Sequence, residues 1–338
     1  MAPGPSPAPA ARSGPTAPGE RVPGPASGGP RVVAVGGGHG LAATLRSLRR
    51  VSDDVTAVVA VSDDGGSSGR LREQFDVVPP GDLRMALAAL CGDTEWGHQW
   101  RDVLQHRFPG EGQLGGHAVG NLLIVSLWDL LGDTVGGLDL VGRLLNARGR
   151  VLPMASVPLN IEASVMGVDP GHPFEITTVA GQAQVATTKG RVLSVGLNPK
   201  DPPACDEAVA AIHAADWVIL GPGSWFTSVI PHLLVPEIHD ALVSTSAKRV
   251  LTLNLVMHTV ETVGFSAKNH LEVLAAHAPE LGLDVVLADP EVVRDEVLLR
   301  RVAGDMGAEL VIADVGDQGR PGQHDSLRLA AAYRDIIG

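Results

Sequence analysis

Apolar residues recur along this chain in two ways. Some form short continuous runs; others return every three or four positions. Val32–Val35, Val55–Val61, Trp217–Leu220, Val250–Val256, Val285–Ala288 and Leu310–Ala313 are runs of the first kind. They predict strands buried on both faces of a parallel sheet. Leu41, Leu45 and Leu48 share one helical face, and Leu83, Ala86, Leu87 and Leu90 share another. A partly exposed helix and turn are predicted over 96–110, and further helices over 204–215, from Ser266 through His277, and from near Asp325. The stretch LLIVSLWDLL after Asn121 is apolar nearly all round and predicts a central, buried helix. Strands alternating with helices predict an α/β class with a doubly wound, mostly parallel, Rossmann-like sheet. Residues 150–200 break the rhythm. There Val, Thr and Gly alternate, with Pro153, Pro158, Pro170 and Pro173 as punctuation, which predicts a small β-rich insertion of partly antiparallel strands. Residues 1–30 are Pro, Ala, Gly and Ser with scattered Arg; without an apolar core segment they predict a disordered tail ahead of an ordered domain over 31–338.

Composition narrows the class. The core rests on aliphatic side chains, since the chain is 44% hydrophobic and only 3% aromatic. The net charge of -12 argues against a nucleic-acid surface, and the cations that do cluster, Arg46, Arg49 and Arg50, lie on one short helical stretch. Two cysteines, Cys91 and Cys205, suit buried thiols in helices better than a disulfide framework or a Cys-rich metal site. No apolar run reaches the roughly 20 residues of a membrane span, so a cytoplasmic protein is expected.

The candidate chemistry sits where predicted strands end. After Val35 come Gly36, Gly37, Gly38, His39 and Gly40, then a helix: a strand, a glycine turn and a helix N-terminus, the arrangement that holds phosphates in mononucleotide folds. Strict motifs fail, because Leu41 stands where a dinucleotide fingerprint wants Gly or Ala, and no Gly-Lys-Ser/Thr is present. After Val61 come Asp63, Asp64, Gly65, Gly66, Ser67, Ser68 and Gly69, read as a loop rich in N–H and hydroxyl donors. Carboxylates repel phosphate, so the two aspartates point to a ribose diol, a hydroxyl nucleophile or a bridging metal. Their distance from the first turn approaches the spacing of about 20 residues expected of a ribose partner. Asp82, in the sequence PPGDLR, is placed to cap the next helix, with ligand contact as a second role. Asn121, at the glycine-rich entry GGHAVGN, either reaches a ligand or satisfies local backbone. A third junction follows Leu220: Gly221, Gly223 and Ser224, then Thr227 and Ser228, are donors suited to phosphate. Asn254 is predicted inside a later strand.

Five stretches, VVAVGGGHG, VSDDGGSSGRLR, PPGDLR, GGHAVGNLL and ILGPGSWFTSVIPHLL, occur in an order that resembles the gluconeogenesis-factor (YvcK-like) family from about Arg31 to the C-terminus. The resemblance implies a doubly wound fold related to the 2-phospho-L-lactate transferases (CofD-like). It also implies binding of UDP-sugars, notably UDP-N-acetylglucosamine, and a role in cell shape and wall-precursor control during gluconeogenic growth. It further implies that the turns at 36–40 and 221–224 and the loop at 63–69 line the nucleotide cleft. In the transferase relatives, carboxylates matching Asp63 and Asp64 lie where metal and substrate meet. The chain departs from the family at His39, where Thr is frequent, at His258-Thr259-Val260, where Gln-Pro-Gly is usual, and at Gln323, where Arg commonly precedes His-Asp.

Three functions compete on these residues. A nucleotide-sugar-binding regulator without turnover needs no cofactor. A transferase would use Asp63 or Asp64 to hold Mg2+. An NAD-type oxidoreductase would require a more faithful glycine pattern and a proton donor. The resemblance favours the regulator, with protein partners in wall regulation and a homo-oligomer both compatible with it; the sequence singles out neither.

Overall fold

The structure, a computed structural model, describes residues 29–338 apart from 258, 260 and 263. Most of the predicted tail, 1–28, and two positions of the His258-Thr259-Val260 departure therefore lie outside the described residues. The first half of the chain runs β1 (Arg31–Gly36), α1 (Gly38–Leu48), β2 (Asp54–Val59), α2 (Gly66–Phe75), α3 (Pro80–Ala89), α4 (Glu95–Gln105), α5 (Val119–Leu131), α6 (Thr134–Leu144) and β3 (Arg150–Pro153). A small unit follows: β4 (Asn160–Met166), β5 (Ile176–Ala180), α7 (Gln182–Thr187) and β6 (Arg191–Asn198). The second half runs α8 (Asp206–Ala214), β7 (Trp217–Leu220), a π-helical turn (Trp225–Val229), α9 (Ile230–Leu233), α10 (Pro236–Ser244) and β8 (Lys248–Thr252). It ends with α11 (Ala267–His277), β9 (Val285–Ala288), α12 (Glu296–Asp305), β10 (Glu309–Ile312) and α13 (Ser326–Ile337).

Seven parallel strands form one sheet in the order β10-β9-β8-β7-β1-β2-β3. Both faces carry helices: α1, α3 and α13 pack together as one group, and α8 with α10 as another. This is why the central strands read as continuous apolar runs. Val32–Val35, Ala57–Val61 and Val218–Leu220 are buried whichever face their side chains meet. The order reverses between β1 and β7, so the loops leaving these two strands diverge and open a crevice at their C-terminal ends. Among the described residues, no helix is long and apolar enough to cross a membrane.

The tertiary context corrects several local readings. β3 belongs to the parallel sheet, paired with β2, and the antiparallel sheet β5-β4-β6 begins only at Asn160. The segment Gly66–Gly69 is the first turn of α2, not loop. β8 stops at Thr252, which leaves Asn254 in the connection beyond it. Nor is α5 buried all round: Gly120, Asn121, Ile124, Val125 and Trp128 face inward while Leu130 is 77% exposed. Cys91 and Cys205 are buried thiols as predicted, but each lies just outside a helix, after α3 and before α8.

The small sheet is anchored to the large one beside the crevice. Arg72 on α2 donates to the Leu159 carbonyl at 2.8 Å and to Asn160 Oδ1 at 2.9 Å. Asp64, just beyond β2, accepts from the Ala183 N–H at 2.9 Å and so satisfies a free donor in the first turn of α7. Asp64→Ala should remove this cap at a cost of about 0.5–2 kcal/mol. Amide exchange should then quicken over 182–187 while β1 and β2 keep their protection; unchanged exchange in α7 would show that the carboxylate does not hold the small sheet.

Candidate functional site

The site is built where two glycine turns meet. Gly40, in the first turn of α1, lies directly against the backbone that follows β7: a Cβ there would overlap the Pro222 carbonyl. Thr44, one turn further along α1 and fully buried, donates to the Gly221 carbonyl at 3.2 Å. The third turn is held from its other side by Asn254, whose amide accepts from Gly223 N–H at 2.8 Å and donates to the Gly223 carbonyl at 2.8 Å. Glu261 closes the base of the turn. Its Oε1 accepts from Ser224 Oγ at 2.6 Å and from the Trp225 N–H at 2.8 Å, and Thr227 Oγ1 donates to Ser224 Oγ at 2.7 Å. Burial raises the Glu261 carboxyl above its ordinary pKa, and these hydrogen bonds oppose the shift. Ser224, Thr227 and Ser228 therefore stand at the predicted place, but the Ser224 and Thr227 hydroxyls serve the turn itself.

The first turn offers the freer donors. The Gly38 N–H donates a hydrogen bond to Asp82 Oδ2 at 2.9 Å. The N–H groups of His39 and Gly40 belong to the helix end that lacks intrahelical partners, and the His39 side chain is exposed at the rim. Asp82 does not cap its own helix as predicted. Pro79 occupies the N-cap position of α3, and Asp82 sits inside the first turn, reaching across to α1. The two roles are exclusive, because a side chain already past the N-cap points away from its own free N–H groups.

Asp63 and Asp82 are brought together; Asp64 is not. Asp63 Oδ1 accepts from Gly65 N–H at 3.0 Å, and its Oδ2 lies 2.8 Å from where a Cβ on Gly81 would stand. Only glycine fits at 81, since that Cβ would also overlap Ser68 Oγ. Asp82 Oδ2 is equally close, 2.8 Å, to the Cβ position of Gly37. Burial and the neighbouring Asp63 charge push the Asp82 carboxyl up to about 6, against the Gly38 N–H bond that favours its charged form.

The Ser67 hydroxyl and the Asn121 amide are bonded inward, within the fold. Ser67 Oγ accepts from the Asn121 amide at 3.0 Å and the Ala118 N–H at 3.3 Å, and lies 3.1 Å from His117 Nδ1. Asn121 Oδ1 in turn accepts from Arg84 Nε at 2.8 Å. This chain of buried polar groups joins α2, α5 and α3, so the Asn121 side chain at the glycine-rich entry to α5 is bonded within the fold. Beside it opens a cavity of about 1070 Å3 bounded by the N-terminal half of α2, the 107–116 loop and the edge of the small sheet, with Gly66, Ser67, Arg70, Arg72, Asn160 and Asn198 on its walls. It is large enough for a nucleotide-sized ligand. Sequence reading missed Gly81, Glu261 and Arg84. Gly81 and Arg84 stand in the PPGDLR stretch already singled out, whereas nothing local marks Glu261 as the support of a turn 37 residues away.

Comparison with known proteins shows the family and the fold. The sequence profile of the family described as "2-phospho-L-lactate transferase CofD" matches residues 32–325. The putative gluconeogenesis factor of Mycobacterium tuberculosis is 54% identical over 308 residues, covering 90% of each chain. The gluconeogenesis factor of Bacillus subtilis is 36% identical over 268 residues, covering 79% of this chain and 81% of that one. A crystal structure of a UPF0052-family protein from Bacillus halodurans superposes with a TM-score of 0.80 at 32% identity, covering 90% of this chain and 98% of that one.

Two outcomes test the site's construction. Ala at a helical Gly normally gains about 1 kcal/mol. At Gly40 the overlap with the Pro222 backbone reverses the sign, and Gly40→Ala should lose roughly 1–3 kcal/mol by denaturant unfolding. A neutral or stabilising result would mean that the two turns do not touch. Asp82 binds its proton more tightly in the folded state than in the unfolded one, where its value is near 3.8. Its contribution to stability is thus present below that value and lost as pH rises through about 6. Asp82→Asn should match the parent near pH 3.5 and exceed it above about pH 6.5 by on the order of 1–2 kcal/mol. Equal stability at both pH values would show that the carboxylate is not strained by burial.

Proposed function

Because the chain belongs to the CofD family and its relatives are gluconeogenesis factors, we propose that it binds a UDP-sugar of the UDP-N-acetylglucosamine type in the crevice at the strand-order reversal. We place it in the cytoplasm as a regulator of wall-precursor supply and cell shape, without turnover of the ligand. The observation that carries the reading is the convergence of two helix N-termini, those of α1 and α2, with the Asp63–Asp82 pair. Helix N-termini suit a diphosphate and carboxylates suit hydroxyls, so one end of a sugar nucleotide would lie on the free N–H groups of the first turn while a ribose or sugar hydroxyl meets Asp63. Long-range repulsion from a net charge of -12 opposes such an anion, which is why local donors must dominate.

A second reading, a phosphate-handling transferase, rests on the same carboxylate pair. Asp63 and Asp82 offer hard oxygen ligands, and Mg2+ is commonly held by one or two carboxylates with substrate phosphates completing its shell. Among the described residues there is no group of three or more His, Cys, Asp or Glu placed to hold a metal, so the pair would hold such an ion only together with a phosphate ligand. Once bound, the ion would neutralise phosphate charge.

Calorimetric melting separates the readings. UDP-N-acetylglucosamine at a hundredfold excess over its dissociation constant should stabilise the fold by about 2.7 kcal/mol and be recovered intact after hours. Asp63→Asn should weaken binding by roughly tenfold, the worth of a charged hydrogen bond to a hydroxyl. Loss of binding on chelation, or cleavage of the ligand, would favour the transferase; a shift with NAD and none with any UDP-sugar would overturn both.

A further inference from the structure

A second cavity, about 660 Å3, lies between α1, α3 and α4. Six arginines line it, Arg46, Arg49, Arg50, Arg84, Arg101 and Arg107, against one acid, Asp93. In a chain with 26 Lys and Arg against 38 Asp and Glu, this concentration runs opposite to the overall charge.

Their partners do not account for them. Arg49 is paired with Asp93 and donates to the Cys91 carbonyl, and Arg101 is paired with its neighbour Asp102. Arg84, only 3% exposed, is held by neutral groups alone, Asn121 Oδ1 and Gln105 Oε1; Arg107 donates to the Gly116 carbonyl. The side chains of Arg46 and Arg50 have no hydrogen-bond or ion-pair partner among the described residues. Burial first and then Arg107 push Arg84 down to about 10, against the opposing charges of Asp82 and Asp63, and Arg46 is lowered by burial, then by Arg320 and Arg49.

The bland explanation covers part of this. Arg46, Arg49 and Arg50 lie at the C-terminal end of α1, where cations meet the negative end of the helix dipole. It does not explain Arg84, buried within α3, or Arg101 and Arg107, which converge on the same cavity from α4 and the segment after it. Burying an arginine on neutral acceptors beside other arginines costs stability unless an anion completes the set. Guanidinium groups are matched to phosphate, each able to make two parallel hydrogen bonds.

We propose that this cavity is a second anion site, separate from the crevice at the strand-order reversal, and that it takes a small metabolite carrying two or more phosphate groups. The arginine end of the cavity is set apart from the crevice by the length of α1. Arg46 lies eight residues beyond Gly38, roughly 12 Å along the helix at 1.5 Å per residue, and Arg50 lies further still. The two sites share walls, since His39 stands at the rim of this cavity and Arg84 follows Asp82 on α3 after one intervening residue. An occupant here is therefore placed to act as an effector of the crevice.

Inorganic pyrophosphate and tripolyphosphate, titrated calorimetrically into the full chain, serve as probes. The variant is Arg46→Gln with Arg50→Gln, two exposed side chains whose loss leaves the core intact. Pyrophosphate should bind the parent, more weakly as salt rises, with tripolyphosphate binding tighter. The double variant should melt as the parent does and bind pyrophosphate roughly tenfold or more weakly. Saturating UDP-N-acetylglucosamine should leave pyrophosphate binding in place. The proposal is overturned if pyrophosphate does not bind, if the double variant binds it equally well, or if the sugar nucleotide displaces it fully. It stands, and the reading of the crevice falls, if pyrophosphate binding depends on the two arginines while no UDP-sugar binds at all.

Discussion

The contact of two backbones at Gly40 and Pro222 is the constraint on which the rest of the site depends. Strands β1 and β7 are neighbours at the strand-order reversal, so the turns that leave them start a strand spacing apart. With no side chain at Gly40 the two turns close onto each other, and Thr44 and Asn254 fix the second turn from either side. Everything else is referred to this pair. Asp82 reaches Gly38 because α3 packs on α1, Ser68 and Asp63 approach because Gly81 lacks a side chain, and Glu261 holds the turn from beyond β8.

Charge is distributed against local stability. A half-buried Asp82 next to Asp63 and a buried Arg84 among other arginines each destabilise the folded chain, and neither is needed to close a hydrophobic core that already buries most of β1, β2 and β7. Such groups are expected where binding, not folding, sets the requirement. They lie close together in α3, one on each side of Leu83, so the helix faces a carboxylate-rich crevice at its start and an arginine-rich cavity along its length. The small antiparallel sheet enters the same arrangement through Asp64 and Arg72, and this ties the outer wall of the larger cavity to the C-terminal end of β2.

What the sequence determined by itself was the α/β class, six of the seven strands of the main sheet, with β8 read four residues too long and β3 assigned to the insertion, and the three glycine-rich junctions. These are local properties. A strand buried on both faces must be apolar at every position, and a turn that approaches another backbone must be glycine, so each leaves a signature in its own few residues. The helical start of α2, the open face of α5 and the end of β8 before Asn254 were misread for the same reason. In each case, what packs on the segment decides its state, and Gly66–Gly69 or LLIVSLWDLL read alike with or without a neighbour. Only the tertiary structure decided the division of labour among the polar residues. Asp63 and Asp64 are adjacent in sequence, yet one faces Gly81 and the other caps α7, because successive residues of an extended segment point to opposite sides. Asp82 left the capping role for α1, Asn121 and Ser67 became an internal strut, and six arginines from three segments met in one cavity. No spacing along the chain encodes these meetings, since they arise from where the sheet reverses its order and which helices that reversal brings side by side.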